Sequence, residues 1–322
     1  MTQILTPPGQ SQEQTNKTQR DASVEAMFPE EAISNLTVDF LERGTDINLK
    51  ERALAEGKKY VISTIPASSK YADIGRSVET RVFSTRFKRS PYEVVEEYKK
   101  YDRVSTFLVV TDVSTEEPMP AGVIRIIEPN TEQGLKSITD LVDDVPKNPW
   151  IDEIKRLHFK DDEEYSPDMA WERLGKSAGV ILNPNESHDV ATISVVPQYR
   201  RMGKTLDSVS VALYHTCLRY ALGNNIKNLV SIQDLKPFGL LQGFGDPFEL
   251  FPGLKPHPYG GPYDTIPAFC VLVRGMQNIR DKDESVGRIF IDGQLLGEEF
   301  LLLEETLPDQ YSNAAVNLPA ID

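Results

Sequence analysis

Cysteine is nearly absent from this 322-residue chain, which carries only Cys217 and Cys270. Each sits inside an apolar run, ALYHTCLRYAL and AFCVLV, where cysteine packs as a small hydrophobe, so no disulfide framework is expected. Histidine is scarce as well. His158, His188, His215 and His257 have no metal-ligand spacing with one another or with the cysteines, and no zinc or other metal site is expected. No apolar run approaches the roughly 20 residues that span a bilayer. The opening stretch, MTQILTPPGQSQEQTNKTQRD, lacks the basic start and apolar core of a secretory signal, so a cytoplasmic protein is expected. Basic charge is also in deficit. With 35 Lys and Arg against 49 Asp and Glu, the net charge is −14, which argues against a nucleic-acid or anionic-membrane partner.

What is present alternates helical and strand-like periods. Residues 1–25, rich in Gln, Thr, Ser and Pro, read as a disordered tail. Residues 26–57 read as a helical N-terminal extension, with a helix over Pro29–Glu42 that stops at Gly44. A main domain is expected over 58–276. KKYVISTIP predicts a strand, and Ile74, Val78 and Val82 mark one face of a helix within Ser68–Lys88. Ser90 and Pro91 then open a second helix. STFLVVTD and AGVIRIIEP are β-branched runs that read as a hairpin. Residues 130–188 read as an irregular insertion with helices over Pro149–Leu157 and Met169–Ile181. DVATISVVP (Asp189–Pro197) predicts a strand, Leu206–Leu222 a long helix, Asn228–Ile232 a strand, DLKPFGLLQGFG a short helix and Ala268–Arg274 a further strand. Residues 277–322 read as a C-terminal extension, in which GRIFIDGQLL, with its Asp292–Gly293 pair, suggests a hairpin.

The sequence VVPQYRRMGKTLDS, Val195 to Ser208, gathers three cations and a glycine between a strand and a helix. A helix start offers unpaired N–H groups and partial positive charge, Gly203 permits close backbone approach, and Arg200, Arg201 and Lys204 add mobile positive charge. Such a turn suits a diphosphate. It also suits an ordinary solvated helix start. It is neither a Walker loop, which needs a second glycine, nor a dinucleotide fingerprint, which needs three.

The pattern V-x-P-x-Y-R-R-x-G (Val195, Pro197, Tyr199, Arg200, Arg201, Gly203) resembles the central motif of the GNAT acyltransferase superfamily, [Q/R]-x-x-G-x-[G/A]. Arg200 and Gly203 match, whereas Thr205 stands where the family has Gly or Ala. The resemblance implies an α/β (α+β) fold with a mixed, splayed β-sheet flanked by helices. It also implies acyl-coenzyme A as the acyl donor, held by Val195, Val196, Arg200, Arg201, Met202, Gly203, Lys204 and Thr205. More loosely, RSVETRVFSTRF, EYKKYD, STFLVVTD and AGVIRIIEP resemble the order found in autoinducer synthases and N-acyl amino acid synthases. That likeness implies Arg81, Asp102 and Arg125 as groups binding a small amine or amino-acid-like acceptor, and an acyl carrier protein as an alternative donor.

Direct acyl transfer from a thioester to an amine needs a proton acceptor and donors aimed at the developing oxyanion. The resemblance implies a main-chain N–H near Val195 or Val196 as the oxyanion donor. Glu186, His188 and Asp189, leading into that strand, are the candidate bases, with Asp189 first; a turn or cap is the competing role for Asp189. The family's usual acid is a tyrosine four residues before a Gly-Phe pair. Here the pair is Gly243–Phe244 and the position is Gly239, so Tyr259 and Tyr263 are substitutes. An N-acyltransferase is therefore expected, the alternative being a non-catalytic acyl-coenzyme A-binding or protein-interaction module.

Overall fold

A computed structural model describes residues 22–129, 132–146, 148–200, 208–243, 245, 247–292 and 296–301. In chain order, α1 (22–27), α2 (Glu30–Arg43) and α3 (Leu49–Ala55) lead into β1 (Tyr60–Pro66), α4 (Ala72–Phe87) and α5 (Pro91–Lys99). The hairpin strands β2 (Ser105–Asp112) and β3 (Met119–Ile127) precede α6 (Lys136–Val142), α7 (Ile151–His158) and α8 (Pro167–Ser177). Then come β4 (Ser187–Val195), α9 (Ser208–Gly223), β5 (Asn228–Asp234), α10 (Leu235–Gly243), β6 (Glu249–Leu250), β7 (His257–Pro258) and β8 (Asp264–Val271). The helices α11 (Leu272–Lys282), α12 (Glu284–Phe290) and α13 (Leu296–Glu299) and the strand β9 (Phe300–Leu301) complete the described chain.

The strands form one mixed sheet ordered β6-β8-β5-β4-β3-β2-β1-β9, with β7 paired to β8. The pairs β1–β2, β2–β3, β3–β4 and β5–β8 are antiparallel, whereas β4–β5 and β1–β9 are parallel. Helices flank the sheet, so the expected fold class is observed. Strands buried on both faces read as near-continuous apolar runs, and β2 is buried along its whole length.

One face carries α4, whose Ile74, Val78 and Val82 meet Phe107, Val109 and Val123 together with residues of α2 and α3. Gly75 makes this contact possible: a Cβ there would stand 2.5 Å from the Phe107 ring. Farther along the same face, α6, α7 and α8 pack Trp150, Trp171, Leu141 and Ile154 against Ile127, Val230 and Phe269. The opposite face carries α9, α11 and α12, with Val209, Leu213 and Cys217 against Val110, Ile124 and Val195. Gly122 plays the matching role here, since a Cβ would lie 2.9 Å from both Leu213 and Val209. Both cysteines are buried, in the core of this face.

Several sequence expectations shift in the folded chain. The expected hairpin at GRIFIDGQLL is instead helix α12, because Asp283 accepts a bond from the Ser285 N–H as an N-cap and Val286 and Ile289 pack on the core beneath α9. Gly293 of the expected turn lies outside the described residues. The strand expected at Ala268–Arg274 starts at Asp264 and gives way to α11 at Leu272, since its partner β5 begins opposite Val271. α8 starts at Pro167 and ends before Gly179, whose φ of 68° stops the helix. Helix α6 lies inside the stretch read as irregular. At Ser90 the capping box is complete, with Ser90 Oγ accepting from Glu93 N and Glu93 accepting from Ser90 N. The helix α11 spans the expected boundary at 276, and Phe300 and Leu301 extend the edge of the sheet beside β1. The tail 1–21 and residues 302–322 lie outside the described residues. No helix among the described residues is long and apolar enough to cross a membrane.

Candidate functional site

The parallel pair β4–β5 is joined only at its beginning: Ser187 faces Asn228, His188 faces Leu229 and Asp189 faces Val230. Beyond that the two strands part. β4 continues to Val195 along β3, and β5 continues to Asp234 along β8. The last link across the seam is a side chain, Ser231 Oγ donating to the Val190 carbonyl at 2.9 Å.

Ladder bonds alternate along an antiparallel strand. The Val196 N–H donates to Ala121 O at 2.9 Å, so the N–H and C=O of Val195 point to the other edge, into the gap. The Val195 carbonyl there accepts from Arg200 Nε at 2.7 Å. Of the two amides expected near the oxyanion, Val196 is committed to the sheet and Val195 faces the opening. Val209 and Leu213, in the first turns of α9, close over Gly122, the cross-strand neighbour of Val195. The first turns of α9 therefore stand at the open end of the seam. Arg201, Met202, Gly203, Lys204 and Thr205 fall outside the described residues.

The candidate bases gather at the paired end of the seam. Six residues of strand, about 20 Å, separate Asp189 from Val195. Asp189 is fully buried and spends both oxygens on helix α6, accepting from Ser137 N at 2.6 Å and Ser137 Oγ at 2.7 Å. It caps the start of that helix, a cap of its own chain's donors. Burial pushes its carboxyl up to about 6 despite those bonds. His188 projects to the opposite face, and burial lowers its imidazole to about 4. Glu186 is exposed and pairs with Lys227 at 2.5 Å.

Arg125 and Asp102 do meet, but Glu79 rather than Arg81 completes the group. Arg125, 1% exposed, grips Glu79 bidentately, Nε to Oε1 at 3.0 Å and Nη2 to Oε2 at 2.8 Å. Its Nη1 reaches Asp102 Oδ1 at 3.0 Å. The guanidinium lies between the Phe107 ring at 4.4 Å and the Tyr98 ring at 4.8 Å. Thr192 Oγ1 donates to Glu79 Oε1. Arg76 holds the other oxygen of Asp102 at 2.7 Å. Arg81, two residues past Glu79, points about 200° away around the helix and stays outside this network.

Next to it lies a second buried cation. Lys136 pairs with Glu97 at 2.7 Å and with Asp140, and donates to the Tyr259 hydroxyl at 3.3 Å. The Tyr259 hydroxyl donates to Asp140. Tyr263 is 45% exposed at the end of α4, its ring 4.9 Å from the Arg86 guanidinium. Gly239 is exposed on α10. Among the described residues, no group of three or more His, Cys, Asp and Glu side chains could hold a metal ion.

Two groups missed in the sequence stand at the open end. Asp234 closes β5, and Arg86 of α4 reaches it with Nε at 3.2 Å and Nη2 at 3.0 Å, both to Oδ2. The other is Ser194, 1% exposed beside Val195 on the α4 face, with a hydroxyl that has no partner among the described residues. The available signal for Asp234 was its place as the last residue of a strand before a helix.

No protein-family model matches the chain, and no curated protein matches it. Solved structures do. FeeM, an N-acyl amino acid synthase from uncultured soil microbes, matches at 14% identity and a TM-score of 0.45, over 68% of this chain and 94% of its own. BjaI, a CoA-dependent acyl-homoserine lactone synthase, in its structure with MTA, matches at 13% identity and TM-score 0.42, over 71% of this chain and 90% of its own. A putative phosphinothricin N-acetyltransferase matches at 16% identity and TM-score 0.35, over 66% and 98%. The N-acyl amino acid synthases and autoinducer synthases named from the sequence thus recur among the matched structures.

Proposed function

We propose that the protein transfers an acyl group from a thioester, with coenzyme A as carrier, to an amine by direct attack. One observation carries this reading: β4 and β5 part beyond Asp189, and the Val195 N–H faces the gap they leave. A buried strand amide without a ladder partner is costly unless something accepts from it. A thioester carbonyl laid in the gap would do so, and would do so more strongly as its oxygen gains charge. In this reading the diphosphate of the donor lies at the start of α9, near Arg200, Arg201 and Lys204. The thioester threads between the strands, and the amine arrives from the α4 face.

Octanoyl-coenzyme A is expected to raise the thermal midpoint, since a ligand that prefers the native state stabilises it. Thiol release is then expected with at least one primary amine. No shift with acetyl-coenzyme A, octanoyl-coenzyme A or free coenzyme A would refute the reading. A second reading, a non-catalytic acyl-thioester-binding module, is favoured by the exposed Gly239 where the family carries its acid. It predicts the thermal shift without thiol release.

A further inference from the structure

We propose that Asp234 is the carboxylate that takes the proton from the attacking amine, an assignment that rests on the acyl-transfer reading above. Its position is the first argument. The β4–β5 register pairs each residue with one 41 farther on as far as Asp189 and Val230; counted forward along the two diverging strands, Asp234 falls across the gap from Ile193, two residues short of Val195. Asp189, by contrast, sits in the paired part of the seam.

The face is the second argument. Side chains alternate along a strand, and Val230 and Ile232 belong to the cluster on the α4 and α6 side of the sheet. Asp234 follows them, and its bonds to Arg86 of α4 confirm the direction. The start of α9 lies on the other face. Donor diphosphate and acceptor amine would thus approach the gap from opposite sides, leaving the carbonyl carbon open to attack from the side of Asp234.

Valence is the third. Glu79, Asp102 and Asp189 have both oxygens engaged by side-chain or main-chain donors. Both Arg86 bonds go to Oδ2 of Asp234, and Oδ1 accepts none among the described residues. The Asp234 side chain is 12% exposed, so the carboxylate is largely shielded from water while Oδ1 keeps no donor among the described residues. Burial raises its carboxyl above the ordinary range and Arg86 opposes the rise.

The ammonium of the acceptor gives one proton to Asp234, and the freed nitrogen pair forms a C–N bond to the thioester carbon. The C–S bond breaks with its electron pair passing to sulfur, and the second proton moves from nitrogen to the thiolate. Asp234 returns its proton to water, so one amide, one thiol and one proton leave.

The test uses the full chain with octanoyl-coenzyme A and a panel of primary amines: the amino acids, ethanolamine, putrescine and glucosamine. Asp234→Asn is expected to keep the thermal shift of the wild type while thiol release falls about 100-fold or more. Hydroxylamine, already neutral at pH 8, should show a much smaller loss, because no ammonium proton has to be removed. A merely structural aspartate would lose both nucleophiles alike. Should Asp234→Asn fail to fold, Arg86→Gln keeps the carboxylate and strips the charged group packed against it. The acidic limb of kcat/KM is then expected to move to higher pH. Wild-type protein that neither shifts nor releases thiol overturns the acyl-transfer reading and this assignment with it. Wild-type turnover with Asp234→Asn within about threefold of it, or an unmoved limb in Arg86→Gln, overturns the assignment alone.

Discussion

The two ends of the β4–β5 seam are built from the same two strands and treat polar groups in opposite ways. At the paired end, Asp189 is fully buried and both its oxygens serve Ser137. At the open end, the Val195 amide faces a gap and Asp234 keeps Oδ1 free of side-chain donors among the described residues. A saturated group holds the fold; a group with spare valence can act on something that arrives. Charge type alone does not separate the two, since both ends carry aspartate. The partners do.

The largest expected effect comes from the network between the ends. Arg125→Met strands Glu79 as a buried carboxylate with only Thr192 to satisfy it, and a loss of about 3–5 kcal/mol is expected by urea denaturation. Replacing Glu79 and Arg125 together by methionine should recover most of that loss. If the single and double variants are equally unstable, packing and not charge governs the site.

At the paired end, Asp189→Ala leaves the Ser137 N–H and hydroxyl without their acceptor, and should cost about 1–3 kcal/mol. The pH dependence has a definite sign. Burial raises this carboxyl from 3.8 to about 6, so the native state binds its proton more tightly than the unfolded chain does. That contribution to stability is fully present below 3.8 and is lost as pH rises to about 6. Asp189→Asn removes the titration, so its deficit against the wild type should shrink across that window in urea midpoints. A loss of thiol release by folded Asp189→Asn as large as that expected of Asp234→Asn would return the base to the paired end.

At the open end, Arg200→Ala frees the Val195 carbonyl and removes one cation near the start of α9. Octanoyl-coenzyme A binding should weaken about tenfold, roughly 1.4 kcal/mol, by calorimetry. Unchanged affinity would detach that arginine from the donor. Smallest of all, Ser231→Ala cuts the side-chain link where the strands part. About 1 kcal/mol of stability is expected to go, with hydrogen exchange increasing at Val190 and Ser231 more than at Ser187.

Much of this fold was legible. Ile74, Val78 and Val82 repeat at helical spacing and do form the buried face of α4, and Ser90–Glu93 is a cap written in four residues. The strands β1 to β5 all lie where β-branched runs placed them. One misreading is instructive. GRIFI alternates like a strand, but Asp283 caps it as a helix and α9 offers a groove for Val286 and Ile289, so tertiary packing outweighed local pattern. The site was legible only in part. Asp102 and Arg125 were named and do meet, while Glu79, which lies between named residues, was overlooked because an acidic residue inside a helix resembles any solvated one.

By itself the sequence determined the alternation of helix and strand, the capping of α5, the place of the cation-rich turn before α9 and the acidity of the whole. Those are local properties, set within a few residues by backbone preference, period and charge. Where β4 leaves β5, which amide is thereby turned to the gap, and which carboxylate retains an oxygen were decided only by the tertiary structure. Each depends on pairing between segments about 40 residues apart, and hydrogen-bond valence is a property of neighbours that only the closed sheet brings together.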